Sequence, residues 1–246
     1  VTIPANFKHE ARDATMRAAK KAGLNVKYII NEPTAAALYY CNHHGSSMSG
    51  NYIVYDLGGG TFDVSVVKIV GDNIEVVATE GVSKLGGDDF DRALREIIKT
   101  KYKSISGLET SDQEIPLAKV SELKIRLSSR EKAPFVVEGE VVEVLRTEFE
   151  TAISGLISQT ELMCENVLDE AKLSASDIKS VLLAGGSTRI PAIGKSIQKV
   201  FKQEPVSSVN VDEVVALGAA LYAALKSSGE HLSASQAASI EKLSLS

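Results

Sequence analysis

The run from Tyr52 to Val67, YIVYDLGGGTFDVSVV, narrows the possible folds most: an apolar strand ends in an aspartate, three glycines and a threonine, and a second alternating strand follows. Gly58, Gly59 and Gly60 carry no Cβ, so the turn admits positive φ and lets backbone N–H groups converge on an anion at contact distance. Phe62, Val64 and Val66 alternate with Asp63 and Ser65, so the chain leaves the turn as a strand. A dinucleotide fingerprint or a P-loop would open a helix here, and a P-loop would add a Lys-Ser/Thr pair that this run lacks. The pattern predicts a phosphate-binding β-hairpin. Asp56, at the carboxyl end of the first strand, offers the hard oxygen that a phosphate-bound Mg²⁺ requires, directly or through its waters, and Thr61 adds a hydroxyl. A plain connecting turn has no use for Asp56, Thr61 and Asp63 around it.

A second glycine loop lies in SVLLAGGSTRIPAI, Ser180 to Ile193, which reads as strand, loop and helix. Pro191 suits the first helical turn and Ser187 or Thr188 is positioned to cap it. Gly185, Gly186, Ser187, Thr188 and Arg189 are thus expected to present donors at a helix N-terminus, able to hold ribose and base. The planar guanidinium of Arg189 suits stacking on adenine, although a solvent-facing arginine explains the residue equally well. A third pair, Gly86-Gly87 in KLGGDDFDRAL, precedes a helix with Phe90, Leu94 and Ile97 or Ile98 on one face. Asp88, Asp89 and Asp91 suit the positive end of its dipole and read as ordinary capping.

At 246 residues, 44% hydrophobic and 24% charged, the chain is long enough for one large domain or two small ones. A net charge of −5 and the lack of a basic run interleaved with aromatics argue against nucleic acid. No apolar stretch approaches membrane length. Cys41 and Cys164 lie far apart without a C-x-x-C, which favours reduced thiols and a cytoplasmic setting. Cys41, His43 and His44 read as a solvated helix end rather than a zinc site. Val1 already stands inside the strand-like VTIPANF, as at a cut, and no signal peptide is visible.

Helical spacing covers Lys8 to Ala22, with Ala11, Ala14 or Thr15, Ala18 and Ala22 on one face and Arg12, Arg17, Lys20 and Lys21 toward water; Gly23 ends it. A short strand at Val26 to Ile30 leads through Asn31-Glu32-Pro33-Thr34 into an alanine-rich helix to about Tyr40. The loop HHGSSMSGN separates this from strands ending near Leu57, Val70 and Thr79, the last two joined by Gly71-Asp72-Asn73, and a helix runs from Asp89 to about Lys103. Residues 104–146 read as an inserted α+β subdomain, with a helix near Leu117 to Leu127 and a hairpin around Gly139. Thr147-Glu148-Phe149-Glu150 forms a capping box for one long helix through Leu168. Strand Val181 to Ala184, helix Ala192 to Phe201, strand Val206 to Val209 and helix Val214 to Lys226 complete the unit. The elements give an α/β architecture, one mixed sheet flanked by helices with both strong glycine loops at strand ends.

INEPTAAA, DLGGGTFD, LGGDDFD, LLAGGSTRIP and DEVVALGAA, in this order, resemble the ATPase domain of heat shock protein 70 (DnaK-type) chaperones over nearly the whole chain. The resemblance implies an actin-like (ribonuclease H-like) ATPase fold. It divides the chain into the end of lobe I (1–50), lobe II (51–228) and a flexible tail or linker (229–246). It implies ATP or ADP with Mg²⁺, and allows K⁺ as an accompanying cation. Asp56 would hold the metal shell; Gly58, Gly59, Gly60 and Thr61 the phosphates; Thr61 and Asp63 the attacking water. Glu32 would stand beside the γ-phosphate, although helix capping also accounts for it. Gly86, Gly87, Lys124, Ser128, Gly185 to Arg189 and Asp212 would surround the nucleoside. Pro4 and Arg12 match residues that relay nucleotide state between domains.

The same resemblance implies unfolded client peptides held by a domain outside this chain, a J-domain co-chaperone and a nucleotide-exchange factor, in protein folding under stress. The chain departs from the pattern in Ser121 for a glutamate, with Glu122 one residue late, in Ile125 for an arginine, in Tyr28 and Val211, and in a shorter insertion. The family's first phosphate loop and catalytic lysine fall upstream of Val1, so the 246 residues are expected to hydrolyse ATP poorly. A small-molecule kinase of the same superfold and a nucleotide-binding scaffold are the alternatives.

Overall fold

The computed structural model describes residues 1–44, 48–70, 73–206 and 208–227. The connections expected at 45–47 and at Gly71-Asp72, and the tail 229–246, lie outside these residues. The order is β1 (Thr2–Ile3), α1 (His9–Lys21), β2 (Ile30–Asn31), α2 (Glu32–His44), β3 (Gly50–Leu57), β4 (Phe62–Val70), β5 (Asn73–Val82), α3 (Gly87–Ser106) and α4 (Leu117–Ser129). Then follow β6 (Lys132–Val137), β7 (Glu140–Leu145), α5 (Arg146–Ala152), α6 (Ser154–Ala171), β8 (Ile178–Ala184), α7 (Pro191–Phe201) and α8 (Val214–Ser227). No helix among the described residues is long and apolar enough to cross a membrane.

Strand alternation builds the main sheet, ordered β5-β4-β3-β8, with β3 antiparallel to β4 and parallel to β8. Ile53, Tyr55 and Leu57 of β3 join Phe62, Val64 and Val66 of β4 on one face, where α3, α6 and α7 bury them. That core continues without a break into α4, β6 and β7, so the inserted segment shares it. Tyr52 and Val54 join Val67 and Ile69 on the other face under α2 and α8. The two helices meet backbone to backbone: a Cβ on Gly218 would stand 1.8 Å from the Ala35 carbonyl oxygen.

Several local expectations give way to tertiary contacts. In α1 the buried position is Ala19, with Arg12, Thr15 and Met16 half-buried, whereas Ala14 and Ala18 face solvent. Arg12 sets this rotation by donating to the Phe7 carbonyl (3.1 Å) and to Asn31 Oδ1 (3.2 Å) instead of facing water. The strand expected over Val26 to Ile30 is confined to β2, which pairs with β1 through Thr2↔Ile30 and Ile3↔Asn31. The long helix after residue 146 is two, since buried Ile153 turns to ψ 0° ahead of the weak helix formers Ser154 and Gly155. Its capping acid is Glu148, which accepts the Leu145 N–H at 2.9 Å.

The strand expected over Val206 to Val209 is reduced to one bridge, Leu182↔Val206. The Tyr40 hydroxyl explains the loss, because it donates to the Leu183 carbonyl (3.0 Å) and accepts the Leu183 N–H (3.2 Å), occupying β8 groups that a longer edge strand would need. The Gly139 hairpin forms as expected. Glu138 and Gly139 both adopt positive φ, 49° and 91°, matching a two-residue turn between β6 and β7.

Gly218→Ala tests the α2–α8 contact, because two effects of opposite sign compete. Alanine gains up to about 1 kcal/mol of helix propensity over glycine. Overpacking costs about 1–3 kcal/mol, and a 1.8 Å approach lies far inside contact distance, so net destabilisation is expected in urea unfolding. A midpoint unchanged or raised would contradict the contact.

Candidate functional site

The pairings Asp56↔Asp63 and Leu57↔Phe62 close β3 and β4 over a four-residue turn, in which the Gly58 N–H donates to the Thr61 carbonyl at 3.1 Å. Neighbouring segments take up the turn's carbonyls. Gly58 O accepts the Gly87 N–H (3.0 Å) and the Ser187 hydroxyl (2.9 Å), and Gly59 O accepts the Asp88 N–H (2.7 Å). The N–H groups of Gly59, Gly60 and Thr61 donate to nothing among the described residues.

None of Gly58, Gly59 and Gly60 has positive φ, contrary to the expectation from their sequence. Their use is the space they leave: a Cβ on Gly58 or Gly59 would find no atom closer than 3.8 Å, and one on Gly60 none within 4 Å. The chain itself does not occupy that space. The other glycines are needed for packing. A Cβ on Gly86 would lie 2.5 Å from Gly59 O, and one on Gly185, whose φ is 83°, would lie 2.3 Å from Leu57 O. Gly87 and Gly186 leave room for Ser187 Oγ (2.7 Å) and Asp212 Oδ1 (2.6 Å) in the same way.

Beside the turn opens a cavity of about 660 Å³, within the usual range for small-molecule sites. The turn contributes Gly58 and Gly59, α3 contributes Gly87, Asp88 and Asp91, α4 contributes Ser121, Lys124, Ile125 and Ser128, and the loops around β8 contribute Gly186, Ser187, Arg189 and Asp212. Its cations carry their own counter-charges. Lys124 Nζ donates to Gly87 O (2.9 Å) and stands 3.0 Å from Asp91 Oδ1, while Arg189 reaches Asp212 Oδ2 and Asn210 Oδ1, each at 2.8 Å. Burial raises the Asp91 carboxyl above its ordinary range despite hydrogen bonds from Lys124 and Ser121.

The remaining residues stand around this cavity rather than in its lining. Gly86 and Gly185 pack behind the turn, Thr188 is buried and donates to Gly185 O (2.6 Å), and Gly60 and Thr61 sit exposed at the turn's tip. Ser187 and Thr188 do not cap α7, because both hydroxyls are used inside the loop, where Gly186–Arg189 form a 3-10 turn; the N-cap of α7 is Ile190, with Pro191 first in the helix.

Alternation puts Asp56 and Asp63 on the α2 face of the sheet, where α2 starts with Glu32. Burial, with repulsion from Asp56 and Asp63 added, pushes Glu32 up to about 7. Burial and Asp63 push Asp56 up to about 6. Burial raises Asp63 too, opposed by Asn6, whose amide donates to Asp63 Oδ1 at 2.9 Å. Among the described residues no group of three or more His, Cys, Asp or Glu side chains could hold a metal ion unaided. Sequence reading missed Asn6, whose partner lies 57 residues away, and took Asp91 for a capping acid; its signal was the spacing of four from Gly87, matched by Ser121 and Lys124 three apart on α4.

The whole chain, residues 1–246, matches the family model described as Hsp70 protein. It is 41% identical over 225 residues to a chaperone protein HscA homolog of Acinetobacter baumannii (strain ATCC 17978), covering 91% of this chain and 36% of that protein. An HscA homolog of Histophilus somni (strain 2336) is 40% identical over 223 residues, with the same coverage of each. The chain thus spans little more than a third of the length of these relatives.

The carboxylate cluster has a pH signature. Glu32 and Asp56 keep protons in the folded chain at pH values where the unfolded chain has lost them, so stability should fall as pH rises from about 4 to about 7 in metal-free buffer. Asp63→Asn removes repulsion felt by both, so their midpoints in carboxyl NMR titration should drop and the stability slope flatten. Unmoved midpoints would show that the three groups are not coupled.

Proposed function

This chain belongs to the Hsp70 family, and we propose that it is part of an actin-like nucleotide-binding domain that holds Mg²⁺-ADP or Mg²⁺-ATP across the Gly58–Thr61 turn. The carrying observation is the turn itself, with its carbonyls taken, three N–H groups unused and its Cβ positions open to space the protein leaves unfilled. The nucleoside half belongs in the adjoining cavity, where the lining cations are balanced by Asp91 and Asp212 and Asp88 adds a further negative charge, so a polyphosphate gains nothing there. Arg189 and Ile125 offer flat and apolar surface to a base, and Lys124 and Ser128 offer polar atoms to a ribose. Gly86, Gly87, Gly185, Gly186, Ser187 and Thr188 shape the walls.

The carboxylates fit a hard cation. Three acids held protonated by burial and mutual repulsion gain from a nearby positive charge, and a divalent ion that takes one or two carboxylates completes its shell from phosphate oxygens and water. Asp56 would hold Mg²⁺ in this way, and the ion would supply charge neutralisation to the phosphates. Glu32, Thr61 and Asp63 would orient water for attack on the γ-phosphate, with Asn6 fixing Asp63. Phosphoryl transfer depends on such positioning.

Because the chain spans only part of its relatives, the activity of the whole protein is proposed as well: ATP binding and hydrolysis coupled to peptide capture and release in a separate domain, assisted by a J-domain partner and an exchange factor, in the cytoplasm, with K⁺ as a further cation. The family match over the full chain favours this over the kinase and scaffold readings. The 1–50 and 51–228 division is retained as the lobe boundary, with α2 and α8 as the packed pair that joins the lobes.

Gly59→Val separates binding from folding. Its side chain meets open space in the protein, so unfolding should shift by less than about 0.5 kcal/mol, whereas Mg²⁺-ADP binding measured by calorimetry should vanish. Wild-type affinity in this variant would reject the turn as the phosphate site. Asp56→Asn should weaken Mg²⁺-dependent binding more than metal-free binding, and equal losses would remove its assigned role.

A further inference from the structure

We propose that Asp91 is a positioning residue that makes Lys124 a donor to a ribose hydroxyl rather than a cation for phosphate. The proposal rests on the nucleotide reading above and says how the cavity tells one half of that ligand from the other. Asp91 sits one helical turn after Gly87 on α3, and Lys124 faces both from α4; Asp91 is 4% and Lys124 9% exposed. An ammonium has three N–H donors. Two are committed, to Gly87 O at 2.9 Å and to Asp91 Oδ1 at 3.0 Å, which leaves one for the cavity that Lys124 lines. The ammonium reaches this position because Gly87 has no side chain, since a Cβ there would stand 2.9 Å from Nζ.

The pairing changes what the lysine can recognise. A buried ammonium without its counter-charge would draw the most negative part of a ligand into the cavity, setting a competing, reversed mode of binding. Paired with Asp91, which Ser121 also holds, it presents one fixed donor and no net charge. A neutral hydroxyl is the acceptor that suits such a donor, and a phosphate gains little from it. The Arg189–Asp212 pair at the same cavity is half-exposed on both sides, so solvent weakens its hold on either polarity. Asp91 thus enforces the direction in which a nucleotide enters.

Calorimetry on the 246-residue chain in Mg²⁺ buffer, with ADP, 2′-deoxy-ADP, 3′-deoxy-ADP and pyrophosphate, tests this. Wild type should prefer ADP over one of the deoxy analogues by about tenfold, the value of one hydrogen bond to a charged donor. Asp91→Asn should reduce that preference to less than about twofold while pyrophosphate binding tightens, because Lys124 has lost its counter-charge. A lone buried ammonium destabilises the fold. The double variant Asp91→Asn with Lys124→Met removes both charges and is the folded control: it should lose the deoxy preference and about tenfold in ADP affinity, with pyrophosphate held within about twofold. Binding of ADP by wild type with no deoxy preference, or a preference preserved in either variant, would overturn the proposal while leaving the nucleotide site intact. Failure of the wild-type chain to bind ADP and pyrophosphate alike would instead overturn the nucleotide reading.

Discussion

Three stretches of backbone meet at the end of β3 without a side chain between them, and the arrangement of the site follows from that contact. Gly86 lies against Gly59 and Gly60, Gly185 lies against Leu57, and at each place a single Cβ would fall 2.3–2.5 Å from a carbonyl oxygen. The approach lets Gly87, Asp88 and Ser187 satisfy the turn's carbonyls from outside the hairpin. A turn held through its carbonyls has its amides left over. The glycines therefore divide into two kinds: those that let segments close on one another, and those whose bare positions stay open.

The same contact separates two electrostatic environments. On the α2 face, strand alternation collects Asp56 and Asp63 beside Glu32, and crowded acids in partial burial favour a cation or a proton. On the α3 and α4 side, each lining cation has a carboxylate of its own, so the cavity favours a ligand part with little charge. A molecule with a neutral heterocyclic end and a polyanionic end that carries a metal matches this sequence of environments. The turn lies at the junction, where backbone amides need no side-chain charge to hold an anion.

Much of this was legible in the sequence because it is local. The alternation of Phe62, Val64 and Val66 against Asp63 set the sheet faces, and Pro191 marked the start of α7. Family motifs added the site residues, whose ligand contacts remain part of the proposal. What escaped was non-local. Tyr40 replaces an edge-strand pairing through a hydroxyl whose partner is 143 residues away, and no periodicity carries that information. Asp91 looked like one of three capping acids until α4 brought Lys124 to it. The glycine turn was recognised for the right residues and the wrong torsions, since sequence records that Cβ is missing and not whether conformation or free space requires it. Residues 45–47, Gly71-Asp72 and the tail lie outside the described residues.

The central claim is that the unused amides of Gly59, Gly60 and Thr61 hold a polyphosphate whose nucleoside lies in the neighbouring cavity. A crystal structure of the chain with ADP and Mg²⁺ tests it most directly. The account requires phosphate oxygens within hydrogen-bond distance of those three N–H groups, the base between Ile125 and Arg189, and the metal on the Asp56 side. Phosphates beside Lys124, or nucleotide in another cleft with the turn bare, would contradict it.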